Sequence, residues 1–379
     1  MGCVDVFDRP VSPDLAPAVR VVLLAFALLA SGCSLPKWAG NGFQVGPDYR
    51  KPAAALADNW IDSDDPRVIE QPPDYADWWS ALHDPVLNQL VIEAYRQNLT
   101  LREAGMRVLQ ARARRAMVAG NLFPQSQTVD GSYTRKQLSI VQQPYLLPIP
   151  GLFSRHFDAW SLSGNLSWEL DIWGRFRRAI ESADAGLDAS VEEYDAILVC
   201  LIAEVATAYV DIRTFELRLE YARQNVRIQE GSLELARARA EEGRTGDISV
   251  HSSESSLEAT KAAIQPLEIG LRQANNRLCT LLGIPTVDLS QSLGAGEIPT
   301  APAEVAVGIP ADLLRRRPDV RAAERQVAAQ SGQIGVAVAD LYPSIAITGE
   351  ISVQAEEFSD LFKSCLLYTS DAADDRYKV

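Results

Sequence analysis

Residues 191–240 read VEEYDAILVCLIAEVATAYVDIRTFELRLEYARQNVRIQEGSLELARARA, and their spacing decides the fold. Steps of three and four from Val191 meet Tyr194, Leu198, Leu201, Val205, Ala208, Ile212, Phe215, Leu219, Ala222, Val226, Gln229, Leu233, Ala236 and Ala240. A single polar residue, Gln229, interrupts that stripe, which is the signature of a coiled-coil seam. Counted from about Arg177 to Glu242, such a helix is on the order of 100 Å long. It should stop at Gly243-Arg244-Thr245-Gly246-Asp247, whose glycines suit a reversal and whose aspartate suits an N-cap. A second seam returns through Leu257, Thr260, Ile264, Leu267, Leu271, Ala274, Leu278 and Leu281, with Pro266 set to kink it about a turn upstream. The expected object is an antiparallel hairpin with a protruding tip; the other reading is two core helices of a compact bundle.

Upstream, Trp160–Leu170 alternates. Trp160, Leu162, Gly164, Leu166, Trp168 and Leu170 form one set, and Ser161, Ser163, Asn165, Ser167 and Glu169 the other. A strand sends the two sets to opposite faces, and eleven residues suffice for a tilted strand to cross a membrane. Trp160 and Trp168 stand about 26 Å apart along it, which suits aromatic girdles at both borders of an apolar band. Lipid would then meet Trp160, Leu162, Leu166 and Trp168, and a wet lumen Ser161, Ser163, Asn165 and Ser167. Val129 and Tyr133, set among Thr128, Asp130, Ser132 and Thr134, give a weaker partner strand. Half of a water-soluble antiparallel sheet fits this local pattern equally well.

The chain also repeats itself at a shift of 219 residues. Leu101-Arg102 meets Val320-Arg321, Ala104 meets Ala323, and Asn121-Leu122-Phe123-Pro124 meets Asp340-Leu341-Tyr342-Pro343. Each copy ends a helix at an aromatic–proline stop and passes into an alternating strand, the second through Ile345, Ile347, Gly349, Ile351 and Val353. This is a tandem duplication. The first copy's helical pattern runs from near Pro85 to about Gly120.

At the front, Val21–Ala30 is an uncharged apolar run of about 15 Å as a helix, too short to span a bilayer, followed by Ser31-Gly32-Cys33. Residues 1–32 fit a secretory signal, with Cys33 as the lipidated residue; an ordinary signal with an incidental cysteine is the alternative. The other cysteines form no regular framework: Cys200 and Cys279 fall on helices and read as two buried thiols, with a bridge between them left open. The 379 residues carry 36 Lys+Arg against 50 Asp+Glu, a net charge of -14, which disfavours a nucleic-acid partner. His83, His156 and His251 are too scattered for a local ligand pair, and neither a phosphate loop nor a GxSxG elbow is present. Neither an enzyme nor a cofactor is expected.

Three strings carry a family resemblance: VGPDYRKP at 45–52, WELDIWGRFRR at 168–178, and IPADLLRRRPDVRAAERQVAAQSGQIGVAVADLYPSIAITG at 309–349. With them the chain resembles the outer-membrane efflux lipoproteins, channel components that partner resistance-nodulation-division pumps. The resemblance covers roughly 33–364. It implies an α+β membrane protein: a homotrimer with a shared β-barrel, four strands from each subunit, and paired helices forming a periplasmic tunnel. It also implies a periplasmic adaptor and an inner-membrane pump as partners. The chain then divides into a signal (1–32), an extended lipidated segment (33–85), a first repeat of helix, strand hairpin and long helix pair (86–283), a linker (284–309) and an incomplete second repeat (310–364). Residues 365–379, with CLLYTSDAADD at 365–375, resemble a translated sequencing-library adapter and are read as foreign.

The expected function is passive exit of a pump's substrates across the outer membrane. The runner-up is a non-pore periplasmic coiled-coil adaptor or scaffold lipoprotein, although no lipoyl-like module flanks the hairpin. The tip, Gly243, Arg244, Thr245, Gly246, Asp247 and Ile248, is the expected adaptor-docking point, with neither Arg244 nor Thr245 needing burial. A turn whose glycines serve backbone geometry alone is the other local reading, and the resemblance favours docking.

Overall fold

The computed structural model describes residues 35–52, 65–69, 77–137, 156–301, 305–306 and 316–363. The expected signal segment, Cys33 and residues 365–379 lie outside them. The chain divides into a helical unit, from 50–115 and 183–329, and a sheet unit, from the remainder.

In the helical unit, α2 (Pro85–Gln97) starts where the Asp84 carboxylate accepts from Val86 N and Leu87 N, with Pro85 at the first helical position. The expected single helix to Gly120 is two. Asn98 interrupts it, its Oδ1 accepting from Leu101 N to start α3 (Leu99–Gly120) and its Nδ2 donating to Leu281 O at 2.8 Å. Apolar spacing passes through Asn98 unchanged, so periodicity could not reveal the break.

The long helix is α4 (Arg175–Glu241). Every seam position from Tyr194 to Ala240 is buried or half-buried. Val191 is the exception at 42% exposed, and its neighbour Glu192 is buried instead, paired with Arg321. The return pair is α5 (Asp247–Ala262) and α6 (Ile264–Leu282), broken at Ala263 three residues before Pro266. It runs antiparallel to α4, with Arg237 paired to Glu254 and Arg223 to Glu268. Gly270 meets Phe215 so closely that a Cβ there would lie 2.5 Å from the ring. Of the two cysteines only Cys279 is buried; both are free, and Cys200 is exposed because it lies off the seam.

Buried Arg213 holds the segment after α6, with its short helix α7 (Ser290–Leu293), to α4. Its guanidinium donates to Leu293 O and Gly294 O, both at 2.8 Å, and to Glu216. Its neighbour Tyr209 donates to Asp84, so one polar cluster reaches the start of α2. Two short strands, β1 (Val68–Ile69) and β4 (Val305–Ala306), pair in parallel in the same unit.

The sheet unit contains α1 (Leu35–Gly40), a short helix inside a segment expected to be extended, and a three-stranded antiparallel sheet. Its order is β2 (Ser126–Gln137), β3 (His156–Glu169), β5 (Ala346–Ala355). The repeat recurs in the backbone: α8 (Pro318–Ala339) occupies the bounds of α3 shifted by 219. Both copies stop on equivalent bonds, Phe123 N to Gly120 O and Tyr342 N to Ala339 O.

The three family strings meet in this unit. Asp171 opens α4 by accepting from Phe176 N and Arg177 N. Arg178, 2% exposed, donates to Val45 O (3.1 Å), Gly46 O (3.4 Å), Asp48 Oδ1 (2.7 Å) and Glu181 Oε2 (2.7 Å). Burial by itself lowers the pKa of this guanidinium, but its hydrogen bonds with Asp48 and Glu181 prevail and raise it. From the third string, Gly335 admits the Arg178 stem and lies against Gly46, where an added Cβ would stand 2.5 Å from Gly335 Cα. Arg178→Met should destabilise this unit by roughly 3 kcal/mol, because two part-buried carbonyls lose their donor at ~1–3 kcal/mol each. Arg178→Lys should recover little, an ammonium lacking the planar fork. Urea midpoints read by tryptophan fluorescence, with the rate of proteolysis in 41–52, measure both; unchanged midpoints would remove Arg178 from this role.

Candidate functional site

The three strands put unlike chemistry on two faces. Pairing runs from Ser126 opposite Ser167 to Gln137 opposite His156, and from Glu169 opposite Ala346 to Trp160 opposite Ala355. Strand parity then gathers Trp160, Leu162, Leu166 and Trp168 on one face with Val129, Tyr133, Ile347, Ile351 and Val353. Val129 is 79% and Ile351 71% exposed, so this face is uncovered among the described residues. Ser161, Ser163, Asn165 and Ser167 share the other face with Thr128, Ser132, Thr348 and Ser352. Ser132 Oγ and Ser161 Oγ are 2.7 Å apart, and Asn165 Nδ2 donates to Asp130 Oδ2 at 3.2 Å. Leu170 falls just beyond β3, its N–H donating to Ile345 O.

Two acidic residues join the polar face, as strand alternation in the sequence places them: Asp130 sits opposite Ser163, and Glu350 opposite Asn165. Their carboxylates make this face more acidic than its serines alone.

Aromatic rings mark both ends of the apolar face. At one end Trp160 lies 4.6 Å from Tyr133 and 5.3 Å from Phe358, centroid to centroid. At the other, Trp168 Nε1 donates to Leu122 O, and Trp173 stacks on Tyr342 at 4.6 Å while donating to Pro343 O. Apolar body and bonded polar tip are what an aromatic side chain needs at a membrane border. No described helix is long and apolar enough to cross a membrane. Among the described residues no group of three or more His, Cys, Asp or Glu is placed to hold a metal ion.

The hairpin tip is built from the same backbone rules. Gly243, at φ +66°, ends α4: Gly243 N donates to Ala240 O and Arg244 N to Arg239 O, a Schellman motif. The N-cap of α5 is Gly246, not Asp247; Asp247 occupies the first turn, where a carboxylate favours the helix dipole. Arg244 is exposed and pairs with Glu242, and Ile248 is 86% exposed. Thr245 departs from expectation. It is half-buried with its hydroxyl enclosed and without a partner among the described residues, so a bulky residue there would disturb the turn.

The model of the outer membrane efflux protein family matches residues 90–284 and 309–370, the two copies of the repeat. The chain belongs to this family. Members are transport channels, and a helix-plus-barrel-strand architecture with a duplicated domain is theirs. Nodulation protein T of Rhizobium leguminosarum bv. trifolii is 32% identical over 335 residues, 86% of this chain and 66% of that protein. The pyoverdine export outer membrane protein OpmQ of Pseudomonas putida is 31% identical over 346 residues, 91% of this chain and 70% of its own. The chain thus spans a little under two thirds of the nodulation relatives' length. Among solved structures, the outer-membrane channel OprN superposes with a TM-score of 0.76 at 33% identity, over 86% of this chain and 71% of that one. The open state of the Neisseria gonorrhoeae MtrE outer membrane channel does so at 0.69 and 27% identity, over 85% and 69%. These likenesses do not favour the adaptor reading.

Leu166→Arg puts a charge at mid-strand on the apolar face and should cost ~2–4 kcal/mol of assembled protein in the membrane. Asn165→Arg, on the opposite face, should assemble. Detergent-extracted oligomer on a gel compares them, and equal losses would remove the sheet from the bilayer.

Proposed function

We propose that the full-length protein is an outer-membrane channel subunit giving passive exit to the substrates of a tripartite efflux pump. The observation that carries this reading is the three-stranded sheet, with one apolar and one polar face. Its outer strands, β2 and β5, each have an edge without a partner among the described residues. Lipid cannot satisfy such edges, so the fourth strand that the family resemblance implies and strands from further copies must close them. The repeat supports self-association too. Gly332, Gly335 and Ala339 of α8 are buried, Gly332 and Gly335 against Ser182 and Arg178 at the start of α4. Their equivalents on α3, Ala113, Ala116 and Gly120, are exposed and small enough to receive a long helix of another copy. A homotrimer follows from the family resemblance. The polar face then lines the pore, where Asp130 and Glu350 should disfavour anions.

The hairpin tip is the docking point for a periplasmic adaptor, through which the inner-membrane pump supplies the energy. Exposed Arg244 and Ile248 offer it one charge and one apolar contact. Arg244→Glu combined with Ile248→Asp, in the full-length protein, should leave oligomers in the membrane but lower efflux and adaptor cross-linking together, by about tenfold if the two are central contacts. Normal cross-linking in the double variant would exclude the tip.

Cys33 carries the lipid. One acyl chain anchors only marginally, so several chains and the barrel share the anchoring. Cys33→Ser should abolish incorporation of labelled palmitate while oligomers persist, and undiminished labelling would refute the assignment.

A further inference from the structure

We propose that an open cleft at the root of the sheet binds the headgroup of an amine-bearing zwitterionic phospholipid. The cleft, of about 500 Å³, is lined by Trp38, Asn41, Gln44, Asp48, Val338 and Tyr342, among others. It belongs to the sheet unit and adjoins the aromatic group of that end: Trp38 lies 5.2 Å from Trp173, which stacks on Tyr342. That group continues the apolar face beyond Trp168, so the cleft falls at headgroup depth once the sheet is in a bilayer. The inference therefore rests on the membrane reading of the sheet.

Its lining selects a cation rather than an anion. Indole and phenol faces attract an ammonium group through the ring quadrupole. Asp48 adds a carboxylate whose side chain is 57% exposed. Its Oδ1 accepts from Arg178 and Asn41. The phosphate of the same headgroup has a use as well. Trp38 Nε1 is buried with no acceptor among the described residues, and a small turn of the ring toward a phosphate oxygen would remove that cost. Asn41 and Gln44 supply amide donors on the same wall.

The test is native mass spectrometry of the full chain in detergent with phosphatidylethanolamine or phosphatidylglycerol, alongside flotation with vesicles of each lipid. Phosphatidylethanolamine should be retained about fivefold more than phosphatidylglycerol, a margin fitting one partly exposed cation–π contact. Trp38→Leu and Tyr342→Leu should each erase the preference, and Tyr342→Phe, which keeps the ring face, should preserve it. Equal retention of the two lipids, or an undiminished preference in both leucine variants, would overturn the headgroup site. A chain that floats with neither vesicle would instead overturn the membrane reading beneath it.

Discussion

Arg178 is the constraint on which the sheet unit depends. Its planar fork reaches two backbone carbonyls and two carboxylates at once, joining the 45–48 strap to the first turn of α4. Only a group that stays charged when enclosed can do this, and its two carboxylate partners outweigh the burial that disfavours its charge. The geometry demands equal care from its neighbours. Gly46 and Gly335 approach within the space of a missing side chain, so neither backbone can retreat from the arginine.

The helical unit uses the same device at Arg213. A long helix offers only side chains, its backbone groups being bonded to one another, so irregular segments must be held to it by polar groups that reach outward. Arg213 holds the 293–294 carbonyls, Tyr209 holds the Asp84 cap, and Asn98 links the start of α3 to the end of α6. Each is a buried polar residue with a partner distant in sequence. Together they let a 67-residue helix carry folded structure on part of its length and a bare hairpin on the rest.

The two-faced sheet gives this architecture its chemistry. Under the proposed reading, its role follows from which surface meets which solvent. Aromatic rings at both ends of the apolar face define a band, and hydroxyls with the carboxylates of Asp130, Glu169 and Glu350 line the other face.

Periodicity made most of this legible. The seam from Tyr194 to Ala240, the break ahead of Pro266, the split faces of β3 and the 219-residue repeat all follow from side-chain direction, which local backbone geometry sets residue by residue. Tertiary structure alone decided the rest. The break at Asn98, the enclosure of Thr245, and Gly246 as the N-cap depend on which groups lie nearby, and spacing carries no record of that. The same is true of Arg178 and Arg213: each looks like one more charged residue on a helix until distant carbonyls converge on it. A pattern repeated along the chain is written in the sequence, whereas a contact between segments 130 residues apart exists only after the chain has folded.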